Sequence, residues 1–302
     1  MLNELWDFIK RIFGMETSWE MLTFPRLQID PASARALTQV LQPAHTIRLR
    51  PEPMESGPLE GAPRMTWHGI TDTGMLRPHN EDNLAHMEIN GNALFVVADG
   101  MGGHDAGEVA SGIAVETVGS EIKKSSGRAS DPLGLVDQAI QAANAAVHRE
   151  ASRKGSNMGT TLAVALVVDG TAYVGNVGDS RVYWIENGSI TQLTEDHSLV
   201  AKLVAVGKLT REEARTDPRA NLLYRTIGID GKVKTAVSQR KLSKGGMLLL
   251  CTDGLWNEVS DEDLHRICAE EKQTELICAR LVQLANANGG KDNITAIAVK
   301  IR

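Results

Sequence analysis

The chain has 302 residues, of which 42% are hydrophobic and 4% aromatic, and it carries a formal net charge of −6. That length buries a sizeable core as one large domain or two small ones, while the acidic balance excludes the basic field on which most nucleic-acid binders rely. No stretch approaches the roughly 18 uninterrupted apolar residues of a membrane-spanning helix.

At the start of the chain, Leu2, Leu5, Trp6, Ile9, Ile12 and Phe13 recur at helical spacing, which predicts a short amphipathic helix. Such a helix packs on the main domain, grips a partner or lies on a membrane. The acids that share its polar face with Lys10 and Arg11 favour the first two. Glu4 and Asp7 come before any Lys, unlike a secretory leader, so the expected location is the cytoplasm. PASARALTQVLQ (31–42) predicts a second helix. Residues 43–63 then hold five of the ten prolines, a linker composition. The expected division is an N-terminal extension over 1–64 and a main domain over 65–302.

From residue 65 onward strand signals dominate. NLAHMEI and ALFVVAD flank Asn90-Gly91, TLAVALVV and TAYVGNVG flank Asp169-Gly170, and RVYWIE and SITQL flank Asn187-Gly188. Each is a hairpin signal, which makes the sheets largely antiparallel. Helical spacing recurs between the first hairpin and the second, at Val109, Ile113, Val115 and Val118 and again from Leu135 to Val147. Later come the helical DEDLHRICAEE and ELICARLVQLANA, then a last strand, ITAIAVKI. Hairpins with paired helices indicate an α+β layered sandwich rather than strict βαβ alternation. Residues 197–226 break the strand pattern with short helical runs and a proline, as either a mobile flap beside a site or a plain helical insertion would. Cys251, Cys268 and Cys278 are odd in number, which fits reduced, buried thiols better than a disulfide framework. The sixth residue after each is Asn257, Thr274 or Leu284 rather than Arg, so the loop of a cysteine phosphatase is absent.

Four acids stand where an apolar strand meets a loop, each near Gly: Asp99 in ALFVVADGMGG, Asp179 in AYVGNVGDSR, Asp253 in MLLLCTDG and Asp292 in GGKDNITAIAVKI. An isolated Asp-Gly after a strand is an ordinary turn. If four such ends converge, the carboxylates repel one another unless a cation neutralises them. A hard divalent ion with oxygen ligands, Mn²⁺ or Mg²⁺, suits that donor set, and no His/Cys cluster has zinc spacing. Upstream, GMLRPHNEDNL supplies Arg77, Glu81 and Asp82. The planar fork of Arg77 matches phosphate oxygens, and Glu81 has the reach to hold a metal ion through an intervening water.

RPHNED, VVADGMGGHDAGEVAS, MGTTL, GNVGDSR, LLLCTDGLWNEVSD and GGKDNITAI occur in an order and spacing that resemble the bacterial type of the PP2C (PPM) family of metal-dependent serine/threonine protein phosphatases. The resemblance covers about residues 65–302 and leaves out the first 64. It implies a four-layer α-β-β-α sandwich, two antiparallel sheets flanked by helix pairs, with a two-metal centre at one end. It further implies that Asp99 bridges both ions, that the Gly100 carbonyl binds one, and that Asp253 and Asp292 bind the other. Glu81 would act through water with Asp82 supporting it, Asp179 would hold the weaker third ion of bacterial members, and Arg77 would bind phosphate. In animal members a histidine directly follows the Asp-Gly and is the proposed general acid. Here Met101 stands there, and the nearest histidine is His104. His104 donates a proton to the leaving oxygen, caps the following helix or faces solvent; His79 and His197 are the other candidates for the donor.

The implied activity is hydrolysis of phosphoserine and phosphothreonine in proteins by a metal-activated water, with no covalent phosphoenzyme, reversing a Ser/Thr kinase. The alternatives are a non-catalytic phosphoprotein-binding module and another two-metal phosphohydrolase, such as a nuclease. The first should lack one of the matched acids, and none is missing; within the second, the negative charge counts against a nuclease and leaves a small-molecule phosphatase open.

Overall fold

In the computed structural model, which describes residues 65–102, 106–125 and 130–302, strand β1 (Met65–Asp72) leads into a hairpin of β2 (Asp82–Ile89) and β3 (Asn92–Met101). Helices α1 (Ala106–Lys124) and α2 (Pro132–Lys154) and the short β4 (Gly159–Thr160) follow. Two further hairpins pair β5 (Leu162–Val168) with β6 (Thr171–Val177) and β7 (Arg181–Glu186) with β8 (Ser189–Gln192). Next come helices α3 (Leu199–Ala205) and α4 (Arg211–Thr216), strands β9 (Ala236–Lys241) and β10 (Met247–Cys251), and the single turn α5 (Asp253–Trp256). Helices α6 (Asp261–Glu270) and α7 (Thr274–Ala287) and strand β11 (Ile294–Ile301) are last.

The three hairpins turn where the sequence expects them. Asn90, Asp169 and Asn187 have φ of 52°, 48° and 49°, and the glycines that follow them are also at positive φ. A two-residue turn of this kind matches the right-handed twist of the strands it joins, and Asn, Asp and Gly adopt it at least cost. The strands build two antiparallel sheets, in the order β1-β11-β10-β7-β8 and β2-β3-β5-β6-β9, with β4 added to the end of β3.

Alternation along the central strands explains the layers. On β3, Leu94, Val96 and Ala98 face helices α1 and α2, while Ala93, Phe95 and Val97 face the other sheet. On β10, Met247, Leu249 and Cys251 face α6 and α7, while Leu248 and Leu250 meet the first set between the sheets. Both strands are therefore covered on two faces, which is why they read as unbroken apolar runs. Phe95 is fully buried between the sheets, and burial of such a side chain contributes about 1.5–3 kcal/mol. The result is an α-β-β-α sandwich, as the resemblance implied. All three cysteines are free and buried, with burial pushing the Cys268 and Cys278 thiols up to about 12, so they serve as packing groups. The expected N-terminal helices, the linker and the boundary near 64 lie outside the described residues.

Between β8 and β9 the chain leaves the sandwich as a helical insertion. Helix α3 buries only Val200, and α4, closed by a capping box between Thr210 and Glu213, buries nothing. Its two ends are held at the root: the His197 amide donates to the Gly178 carbonyl at 2.9 Å, the Tyr224 amide to the His197 carbonyl at 2.9 Å, and the Ile227 amide to the Thr160 carbonyl at 2.8 Å.

Candidate metal centre

Strand register brings the acids to one end of the sandwich. Asp82 opens β2 and stands opposite Asp99 near the end of β3. In the other sheet, β10 ends where its antiparallel neighbour β11 begins, and the Thr252 amide donates to the Thr295 carbonyl at 3.1 Å. Asp253 and Asp292 flank that junction. Asp179 lies in the link by which the chain crosses from β6 in one sheet to β7 in the other, and Trp256 Nε1 donates to its carbonyl at 3.0 Å. Asp99, Asp179, Asp253, Asp292 and Glu81 thus line one cleft of about 430 Å³ together with Arg77.

Two glycines make the approach possible. A side chain at Gly100 would meet the Gly107 carbonyl oxygen at 2.1 Å and that of Glu81 at 2.6 Å, and one at Gly254 would meet the Asn293 carbonyl oxygen at 2.1 Å. Backbone contacts this close leave no room for a Cβ.

Uncharged polar groups hold the acids in place. Thr161 Oγ1 accepts from the Asp99 amide at 2.9 Å, and Thr160 Oγ1 donates to the Asp99 carbonyl at 2.8 Å. Asn293 Oδ1 accepts from the Glu81 amide at 2.8 Å, while its Nδ2 donates to the carbonyls of Thr73 and His79 at 2.9 Å each. Asp82 is 4% exposed and stands behind the cleft wall, where its Oδ2 accepts from Thr252 Oγ1 at 2.7 Å and Thr295 Oγ1 at 2.6 Å. The sequence flagged Asp82 as a support to Glu81, and its contacts are with the threonines beneath the acids.

The charges demand compensation. Burial first, and then the neighbouring carboxylates, raise Asp99 and Asp179 well above the ordinary Asp range. Asp253 is raised by burial and then by Asp292. Buried carboxylates that line one cleft must take up protons or a cation. Oδ1 of Asp253 and Oδ1 of Asp82 are buried with no hydrogen-bond partner, a costly state for an anionic oxygen. Among the described residues no group of three or more His, Cys, Asp or Glu side chains is placed to hold a metal ion by itself, and the cleft offers separate carboxylates. That arrangement fits Mn²⁺ or Mg²⁺, which take few carboxylates and keep several waters, better than an ion that needs a full protein cage. Glu81 is also raised, chiefly by burial, against the pull of Arg77 and the Gly107 amide at the start of α1.

Arg77 is 44% exposed, and its Nη2 donates to Asp292 Oδ2 at 2.7 Å. Of the histidines, His79 lines the cleft. His197 does not: it is fully buried, its Nδ1 accepts from the Gly178 amide at 3.1 Å, and Arg225 Nη1 lies 2.9 Å from its Nε2. Its packing therefore removes it as a proton donor. His104 lies outside the described residues.

The family profile of protein phosphatase 2C matches residues 77–294. The chain is 37% identical over 235 residues to the serine/threonine phosphatase stp of Listeria monocytogenes, covering 76% of this chain and 93% of that protein. It is 33% identical to the crystal structure of serine/threonine phosphatase Stp1 from Staphylococcus aureus, with a TM-score of 0.75 over 82% of this chain and all of that one. A third relative, the catalytic domain of the phosphatase PstP in complex with two manganese ions, is 31% identical with a TM-score of 0.71, over 78% of this chain and 98% of that one.

Proposed function

The chain belongs to the protein phosphatase 2C family of metal-dependent serine/threonine protein phosphatases, and from that premise we propose the part each of its residues plays. The enzyme hydrolyses phosphoserine and phosphothreonine in proteins and depends on two metal ions. When bound, the ions lower the pKa of water and neutralise charge on the phosphoryl group.

Asp99 is assigned to both ions, the Gly100 carbonyl and, through water, Glu81 to one, and Asp253 and Asp292 to the other. The observation that carries this reading is the convergence of five carboxylates on one cleft, with an Asp253 oxygen buried and unpartnered. Asp82 steadies the wall from behind by fixing Thr252 and Thr295. Asp179 is assigned to a weaker third ion, and Mg²⁺ is taken to serve as well as Mn²⁺. Arg77 presents its fork to two phosphoryl oxygens, exchanging Asp292 for substrate. Charge that moves toward the leaving oxygen is met by this fixed arrangement without reorganisation at the moment of reaction. His104 is assigned as the donor of the proton that the leaving seryl or threonyl oxygen needs.

The phosphatase domain is taken as 65–302, with 1–64 as an appended segment whose helix packs on it or on a partner rather than on a membrane. The chain is assigned to the cytoplasm, opposing a Ser/Thr kinase. No helix among the described residues is long and apolar enough to cross a membrane. The test is phosphate release from phosphothreonine peptides by metal-stripped protein before and after Mn²⁺, beside Asp253→Asn. Activity that needs Mn²⁺ and is lost in the folded variant supports the assignment; turnover retained in the variant refutes it.

A further inference from the structure

Exposed apolar residues neighbour the residues that line the acidic cleft. Seven large hydrophobic side chains are exposed among the described residues, and Met75, Leu76, Leu222 and Ile229 are 66%, 70%, 55% and 47% exposed. Each adjoins the lining of the cleft, either along the chain or through a strand pairing. Met75 and Leu76 immediately precede Arg77 on one wall, and Leu222 lies between Asn221 and Leu223, both of which line the cleft from the helical insertion. Ile229 covers Gly159, where a Cβ would lie 3.3 Å from its Cδ1, and Gly159 pairs with the cleft residue Met101.

Backbone hydrogen bonds fix these residues in their exposed positions. The amides of Met75 and Leu76 both donate to the Gly290 carbonyl, at 2.7 and 3.3 Å. The Leu222 amide donates to the Arg219 carbonyl at 3.0 Å, and its carbonyl accepts from the Leu199 amide at 2.8 Å. Exposed apolar side chains beside a polar site suit a protein-contact surface.

We propose that these residues form a rim that is a docking surface for apolar residues immediately flanking the phosphorylated residue of a protein substrate, so that the enzyme selects phosphosites by their hydrophobic neighbours. The inference rests on the phosphatase reading of the cleft. A phosphorylated side chain directed at Arg77 lays its main chain across the mouth. At about 3.3–3.6 Å per extended residue, the first and second neighbours on either side come to the two walls. Leucine or isoleucine there gains contact with Leu76 and Leu222, whereas aspartate loses water without gaining a partner.

The test uses the full chain with Mn²⁺ and three substrates. Two are phosphothreonine peptides that differ only in carrying Leu or Asp at the positions flanking phosphothreonine; the third is p-nitrophenyl phosphate, too short to reach the rim. The Leu-flanked peptide should have a kcat/KM about tenfold higher, expressed mainly in KM. The double variant Leu76→Ser/Leu222→Ser should lose that preference and keep its turnover of p-nitrophenyl phosphate, which also reports that it is folded. Equal rates on the two peptides, or a preference that survives in the variant, would overturn the proposal. So would a variant that gains activity on both peptides, because the rim would then be covered by another segment of this chain. A native dimer that the variant dissolves, with no flank preference, would assign the rim to a second copy instead. Failure to hydrolyse any of the three substrates would strike the phosphatase reading itself, and this inference with it.

Discussion

Trp256 ties the turn that carries Asp253 to the turn that carries Asp179: its Nε1 donates to the Asp179 carbonyl at 3.0 Å. The same indole lies 3.5 Å beneath the Arg181 guanidinium, which in turn donates to Asp196 Oδ2 at 2.6 Å and to the Tyr183 hydroxyl at 2.7 Å. Asp196 stands at the root of the helical insertion. One aromatic ring therefore joins two acidic turns from different parts of the chain to the base of the rim.

Trp256→Phe keeps the ring and removes the donor, leaving a buried carbonyl short of a partner. The expected cost is about 1–3 kcal/mol of stability, read as a lower Tm. Because Asp179 loses its anchor, activity should also need more Mn²⁺ to saturate. An unchanged Mn²⁺ dependence would show that Trp256 does not position Asp179.

Arg77→Ala should lower kcat/KM on phosphothreonine peptides by about 10²-fold, the scale found when one preorganised donor to a developing charge is lost. Arg77→Lys should recover only part, since an ammonium keeps the charge without the planar fork. Stability should move by less than about 0.5 kcal/mol, as for other half-exposed side chains. A full rescue by Lys would argue for simple charge attraction in place of bidentate binding.

Burial, and after it the Arg225 guanidinium, lowers His197 to about 4 from the ordinary 6.5. The unfolded chain therefore takes up more protons than the folded one between those values. This contribution to stability is complete above about pH 6.5 and is lost as pH falls toward 4. Because Nδ1 accepts from the Gly178 amide, the neutral ring carries its hydrogen on Nε2; protonation would set a second N–H at Nδ1 against the Gly178 donor and place a charge beside Arg225. In chelator, the raised acids of the cleft stabilise both proteins as they protonate between pH 7 and pH 5; against that shared background the native protein should lose Tm relative to His197→Asn, whose amide oxygen can still accept from Gly178. Equal changes in Tm would show that His197 carries no part of the acid sensitivity.

His104→Ala should slow hydrolysis of a phosphothreonine peptide by about 10²-fold, because an alkoxide needs a proton as it leaves. p-Nitrophenyl phosphate, whose leaving phenolate needs none, should be almost unaffected. Equal slowing of both substrates would remove His104 from proton donation.

The four aspartates at strand ends were legible in the sequence because each follows or precedes an apolar run and lies at or near glycine. The hairpins were legible because Asn-Gly and Asp-Gly tolerate positive φ. Convergence of the acids was not, since it depends on which strands become neighbours. Asp82 and Asp99 meet through the β2–β3 register, while Asp253 and Asp292 meet through β10 and β11 in the other sheet. The organisers Thr160, Thr161, Asn293 and Trp256 went unassigned because they carry no charge; their only signal was a place in the motif MGTTL or near the acids of KDN and DGLW. Strands β1 and β9 also escaped notice. They are edge strands with no fully buried position, so neither shows the apolar run of a central strand.

The most direct measurement of the central claim is the thermal stability of native protein and Asp99→Asn, each in chelator and in Mn²⁺. Asp99 is buried among carboxylates that repel it, so in chelator the neutral amide should leave Tm equal or higher. Mn²⁺ should raise the Tm of the native protein, because an ion that binds only the folded state stabilises it, and should do little for the variant. Equal stabilisation of both proteins by Mn²⁺, or a variant that is markedly less stable in chelator, would contradict the assignment of Asp99 as the shared ligand of a metal centre.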